Sequence, residues 1–406
     1  MGIENRKSST TITEYENKKI SISGIIVAFF IATLPLTMYQ IDGIGSGQRI
    51  ISIFVCIVAL LILYMRRTPI SSSGGAVFWI FCAGWGLVTV VWSTAFTTSF
   101  AFASGMLLMI ASFVLMAMLP LTGKDIQLIQ IAWLLVALSA SIIFILYGEQ
   151  AAIGNRTHII LASGDSDPNE FATYFLLPLA YIVDAIFRGR ATVRLVALLA
   201  AMGVLYVILM TGSRAGAIAS LVIVCLIALR HSSRSIGRFL LVGTVIFLGF
   251  YFTNRYIWPL VPEEVRTRLS FAALQEDNGS GRAAIWDSGL ELLANSGWRI
   301  LIGYGPHGAP LDRTVMHNHF LQALVDGGLI GLLLFLAVVV CALRAAARNV
   351  PVFAATVGIL IMFMTLTAYS NFRPAWAILF MAMLIARRRR SLVNEKSLKN
   401  RVVEHG

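Results

Sequence analysis

"MHNHFLQALVDGGLIGLLLFL", residues 316–336, is half a membrane span and half something else. From Gly327 onward it is the kind of run a lipid core accepts. Before that it carries His317, Asn318, His319, Gln322 and Asp326. Asn318, Gln322 and Asp326 recur at every fourth position, so on a helix beginning at His317 they share one face. A polar stripe at the end of a membrane helix has to face the bundle interior or a water-filled cavity. The stretch therefore predicts a helical membrane protein with polar chemistry gathered at one end.

The rest of the chain agrees with the lipid half. Of 406 residues, 58% are hydrophobic and 13% charged, with mean hydropathy +0.80; a soluble domain carries about 25% charge. Apolar runs long enough to cross a bilayer recur throughout, and they are too long and continuous for barrel strands. We read an all-α polytopic membrane protein of about twelve transmembrane helices. They lie at about 22–38, 50–65, 75–93, 100–119, 127–147, 170–187, 194–211, 214–230, 238–254, 317–343, 351–369 and 374–386. The chain then divides into an N-terminal tail (1–21), an N-terminal bundle (22–147), a region 148–343 containing a large, partly helical outer loop (255–316) between spans nine and ten, C-terminal spans (344–386) and a basic tail (387–406). The polar start is too long for a cleaved leader, so the first apolar run reads as a retained span.

Cationic residues set the orientation, since Lys and Arg in short loops favour the cytoplasm. With both termini inside, the inner segments hold Arg66, Arg67, Lys124, Arg188, Arg190, Arg194, Arg230, Arg344 and Arg348, and the tail opens on Arg387 to Arg390. The net charge of +12 is thus a matter of topology and membrane lipids, and no nucleic-acid partner follows from it. The four cysteines all lie inside apolar runs without metal-ligand spacing and read as small hydrophobes.

With this orientation the unusual polar groups fall on the outer face. "LMTGSRAGAIASLV" puts Ser213 and Arg214 at a tight outer turn, where Gly212 and Gly216 allow close helix packing. Arginine near membrane depth is costly, and its planar fork matches phosphate oxygens. Arg156 precedes "DSDPNE", in which Asp167 and Pro168 form a helix start. Asp165, Asp167 and Asn169 alternate like a calcium loop, but Glu170 stands where glycine is needed and Leu176 where the closing glutamate should be. "GSGRAAIW" carries Arg282 at the opening of an amphipathic helix. "IGYGPHGAP" is a loop whose backbone could come close to a ligand, and it lacks the Lys and Ser/Thr of a nucleotide-binding loop. We expect no metal and no cofactor.

Together, "LMTGSRAG", "GSGRAAIW", "GYGP" and "MHNHFLQALVDGGLIGLLLF", in this order over roughly residues 150–340, resemble the O-antigen ligase and polysaccharide polymerase superfamily of bacterial inner membranes. Here the turn reads Ser-Arg-Ala-Gly, with Ala before Gly. The resemblance implies a metal-independent glycosyltransferase acting at the periplasmic face, with 148–343 as its catalytic region. Its donor would be a glycan on an undecaprenyl diphosphate carrier, and its acceptor lipid A core or a growing glycan, in lipopolysaccharide or exopolysaccharide synthesis. A chain-length regulator is a further implied partner. Arg214 and Arg282 match the arginines that bind diphosphate, with Arg156 a third cation, and His317 matches the histidine that activates the acceptor hydroxyl. Ser213, Asn318 and Gln322 would support that site. The chemistry is coherent: fixed cations stabilise a departing diphosphate, and histidine is a base poised near neutral pH. Ligase and polymerase remain alternatives, with the ligase preferred. A transporter or flippase is the rival of another class, but such folds carry internal repeats and midplane charges, whereas this sequence concentrates its polar groups on one face.

Overall fold

A computed structural model of the chain describes residues 19–41, 45–66, 74–150, 157–161, 164–232, 255, 258–261, 263–269, 282–312, 315–369 and 373–404. Arg156, the ninth expected span and parts of the outer loop lie outside these residues.

Helices stand at every other expected span: α1 (Ile22–Ala32), α2 (Gly47–Arg66), α3 (Gly74–Val88), α4 (Phe96–Met118), α5 (Gly123–Tyr147), α6 (Pro168–Arg188), α7 (Ala191–Met210) and α8 (Arg214–Ser232). After the outer loop's α9 (Glu263–Leu269), α10 (Arg282–Ala294) and α11 (Arg299–Ile302) come α12 (His319–Ala346), α13 (Val350–Phe363) and α14 (Arg373–Glu404). Among the described residues, eight helices are long and apolar enough to cross a membrane, and α1 and α13 are shorter apolar helices. The chain is a polytopic helical membrane protein. α14 continues from the last expected span into the basic tail as one helix.

Short strands accompany the helices. The outer segment after α5 forms an antiparallel meander of Gly148–Gln150, Thr157–Leu161 and Gly164–Ser166, and a two-residue pair joins Gln40–Ile41 to Gly45–Ser46. Strand pairing supplies partners to backbone that no helix satisfies, and the β-branched Thr-His-Ile-Ile run suits it.

Side-chain contacts fix which helix ends meet. At one end, Phe144 of α5 stacks on Phe171 of α6. Ser213 Oγ donates to Asn169 Oδ1 at 2.7 Å. Gln48 Nε2 donates to the Phe30 carbonyl at 3.1 Å, and Arg373 donates to the Gln48 carbonyl at 3.0 Å. The Ala368 amide donates to His319 Nδ1 at 3.1 Å. At the other end, Ser21 Oγ donates to Asp125 at 2.7 Å, and Asp184 pairs with Arg188 (3.1 Å) and His231 (2.8 Å). Arg387 donates to the Ala117 carbonyl. This second end also holds Arg66, Lys124, Arg230 and Arg344 at helix termini.

The tenth expected span is broken. α12 is interrupted at Gly328, whose backbone (φ 65°, ψ −166°) is not helical. A break frees carbonyls, which in lipid must find other donors. They find them in the outer loop: Tyr304 N–H donates to the Val325 carbonyl (3.0 Å) and Gly305 N–H to the Asp326 carbonyl (2.8 Å). The Trp85 indole donates to the Gly327 carbonyl at 2.7 Å. The Gly-rich loop thus packs closely against α12. Its other carbonyls are held by Trp92 on Gly303 (3.1 Å), Thr94 on Gly308 (2.7 Å) and Ser99 on Pro306. A side chain at Gly303 (φ +74°) would meet the Asp326 carbonyl at 2.2 Å. Gly303→Ala combines left-handed backbone with a backbone clash, so we expect it to destabilise the protein by at least about 2 kcal/mol. The yield of folded, detergent-extracted protein reads this out.

Candidate active site

α12 begins at His319, not at His317 as the sequence suggested. Asn318 is its N-cap, with Oδ1 accepting from Phe320 N–H (3.0 Å) and Leu321 N–H (3.1 Å). Capping is what Asn does well at a helix start, so Asn318 serves the backbone and is not part of a helix face. The two histidines therefore differ. His319 is buried, accepts from Ala368 N–H, and is packed by Phe335, Phe363 and Trp376. His317 is half-buried in the preceding loop, with φ of 49°.

His317 is held from both sides. Met316 N–H donates to Gln322 Oε1 at 2.7 Å, and the Met316 carbonyl accepts from the Trp286 indole at 2.8 Å. On the other flank stands the Asn318 cap. Among the described residues, His307 and His317 are the non-glycine residues with positive φ. Such strain costs about 1–3 kcal/mol and clusters at functional sites.

Arg282 opens α10, and Trp286 lies one turn further along. Gly289 of the same helix faces Met316, whose Sδ would lie 2.8 Å from a side chain there. Arg282, Trp286 and Gly289 follow helical spacing, so Arg282 belongs to the face applied to the His317 loop. Arg214 is half-buried at the first position of α8. Asn169 ties the start of α8 to the start of α6, at the end of the bundle where Phe144 meets Phe171. Tyr174 donates there to the Leu34 carbonyl at 3.4 Å, which joins this corner to the Phe30–Gln48–Arg373 chain beside Ala368 and His319. Arg214, Arg282 and His317 thus share one end of the molecule.

Ser213 has a structural task. Its Oγ accepts from Gly216 N–H at 3.0 Å, capping α8, and donates to Asn169. Gly212 adopts φ of 66° in the turn, while Gly216 makes the close helix contact, 2.8 Å from Ala172 Cβ once a side chain is built on it. Gly216 of the expected small-residue pair packs helix on helix, against α6. We expect Ser213→Ala to cost about 1–2 kcal/mol of stability and to leave turnover per folded molecule intact. Thermal unfolding of purified protein checks the first and an activity assay the second. Asp167 likewise caps α6, accepting from Asn169 N–H at 2.7 Å.

Gln322 and Asp326 do face the interior. Gln322 Nε2 donates to Asp326 Oδ1 at 2.8 Å, and Tyr369 Oη donates to Asp326 Oδ2 at 2.7 Å. Thr367 Oγ1 donates to Gln322 Oε1 at 3.2 Å. Tyr369 and Thr367 are absent from the sequence-based site. They are available because α13 ends at Phe363, short of the expected 369, and the chain that follows crosses the mouth of α12. The signal was the polar run "TLTAYSNFR", residues 365–373, between two apolar spans. Asp326 and Tyr369 line a cavity of about 90 Å³ with Trp85, Phe102, Pro306 and His319. The His307 ring lies 4.1 Å from Phe102 and 4.9 Å from Tyr369, and burial pushes its pKa down.

Among the described residues, no group of three or more His, Cys, Asp and Glu is placed to hold a metal ion. The four cysteines are free, and each lies part-covered within a helix.

No curated protein matches the chain. The family described as O-Antigen ligase does: its model covers residues 195–336, and so Ser213, Arg214, Arg282, His317, Asn318 and Gln322. From α7 to the middle of α12 this multi-pass membrane protein is similar to the O-antigen ligase family, a likeness that supports a ligase- or polymerase-type role in polysaccharide biosynthesis.

Proposed function

We propose that the protein is a glycan-joining glycosyltransferase of the bacterial inner membrane. It transfers a glycan from an undecaprenyl diphosphate carrier to an acceptor hydroxyl at the periplasmic face. The observation that carries this reading is His317, fixed through Met316 and Asn318 beside the helix that begins at Arg282. Arg282 and Arg214 hold the diphosphate, and Arg156 is a third cation for it. His317 takes the proton of the acceptor hydroxyl as its oxygen attacks the anomeric carbon. The carbon–oxygen bond to the diphosphate breaks, its electron pair passes to the departing phosphate oxygen, and the arginines neutralise that charge. Metal is not required in this scheme, and direct attack inverts the anomeric centre. Gathering of cations at the opposite end of the bundle supports cytoplasmic termini. Accessibility of cysteines introduced at exposed positions of each end checks that orientation.

The ligase is preferred over the polymerase, with lipid A core or another glycan as acceptor. Deleting the gene and sizing the surface glycan separates them. Full-length polymer stranded on its lipid carrier marks a ligase. Single repeat units mark a polymerase. Carrier-linked units retained on the cytoplasmic side would overturn the enzyme assignment in favour of a flippase.

A further inference from the structure

The buried polar chain beneath His317 has a direction. A backbone N–H can only donate, so the atom of Gln322 that meets Met316 N–H is its oxygen, and its amino group is left for Asp326. Asp326 then accepts from both neighbours, Gln322 Nε2 at 2.8 Å and Tyr369 Oη at 2.7 Å. Thr367 adds a second donor to Gln322 Oε1 at 3.2 Å. The far end is rigid as well, since the Asp326 carbonyl is held by Gly305 N–H at 2.8 Å beside the break in α12. Gln322 is 1% and Asp326 8% exposed, so water does not compete freely for these bonds. The chain ends on Met316, one residue before the strained backbone of His317.

We propose that Tyr369, Asp326 and Gln322 are positioning residues of the transfer reaction, linked by hydrogen bonds that hold the Met316–His317 backbone and so aim the His317 imidazole. The inference rests on the proposed role of His317. Tyr369 and Thr367 lie beyond the residues that match the family model, so the catalytic geometry draws on the segment between α13 and α14 as well.

The test uses purified full-length Tyr369→Phe and Gln322→Met, assayed with a polyprenyl-diphosphate-linked oligosaccharide donor. Rates are divided by the monodisperse folded fraction. A misplacement of about 1 Å can cost up to about 100-fold in rate. We expect kcat per folded molecule to fall about 10-fold in Tyr369→Phe and further in Gln322→Met, with donor KM within about twofold of wild type. A purely structural part would lower the folded yield and leave kcat per folded molecule unchanged, which overturns the proposal. A raised donor KM at unchanged kcat overturns it too, because the residues would then serve donor binding. If these variants do not fold, Thr367→Val removes only the second donor to Gln322. A lowered kcat there supports the proposal, and a wild-type value overturns it. His317→Ala in the same assay separates the two claims. Full activity there refutes the role of His317 itself, whereas loss there with wild-type kcat in Tyr369→Phe refutes the relay alone.

Discussion

His317→Ala is expected to lower glycan transfer by at least about 100-fold, the usual contribution of a general base, while the protein accumulates in the membrane near its normal level. His317 lies in a loop, half-buried, outside the aromatic core. Alanine keeps the β-carbon that the left-handed backbone (φ 49°) already carries and leaves the aromatic packing around His319 in place. His319→Ala, two residues on, should do the reverse. That ring fills a space between Phe335, Phe363 and Trp376 and satisfies Ala368 N–H. Its removal costs about 3 kcal/mol or more and should appear as lost protein. Quantifying membrane-inserted protein alongside transfer for both variants distinguishes base from core. Equal loss of protein in the two would remove the case for His317 as a base.

Arg214→Ala should also abolish transfer at near-normal abundance, and Arg214→Lys should recover little. Lysine keeps the charge but presents a point cation where the guanidinium offers two parallel donors. At the first position of α8 the residue lies at a helix N-terminus, where backbone N–H groups already favour an anion. On the proposed function the arginine adds to an anion-binding field, and it is not needed to start the helix, which Ser213 caps. Transfer rates of both variants in membranes with a diphosphate-linked donor provide the check. Wild-type activity in Arg214→Lys would argue against a bidentate clamp. Loss of both variants from the membrane would make Arg214 a packing residue.

Much of this architecture was legible in the sequence because membrane spans are a local property. A run of apolar residues has one stable state in lipid, and its position follows from hydropathy alone. The charge pattern was legible for the same reason. It lies at helix ends, where the arginines of the second end are found at Arg66, Arg188, Arg230 and Arg344. The cap at Asp167 could be named from Asp-Pro-Asn alone. That Asn318 was assigned to a helix face and not to the cap reflects the usual uncertainty of a residue or two at helix ends.

What the sequence by itself determined was a polytopic helical membrane protein whose polar residues are pooled at one end, with His317, Arg214 and Arg282 among them. Only the tertiary structure decided that α12 breaks at Gly328, since a glycine in an apolar run looks the same whether or not it bends. The break is stable because Gly305, Tyr304 and Trp85, far away in the chain, donate to the carbonyls it frees. Likewise only packing could bring Tyr369 and Thr367 to Asp326 and Gln322, or divide two neighbouring histidines into one held in the core and one held at the surface. Hydropathy is summed along the chain, but hydrogen bonds between distant segments are set by how the helices meet. For that reason the spans could be read from the sequence and the buried polar chain beneath His317 could not.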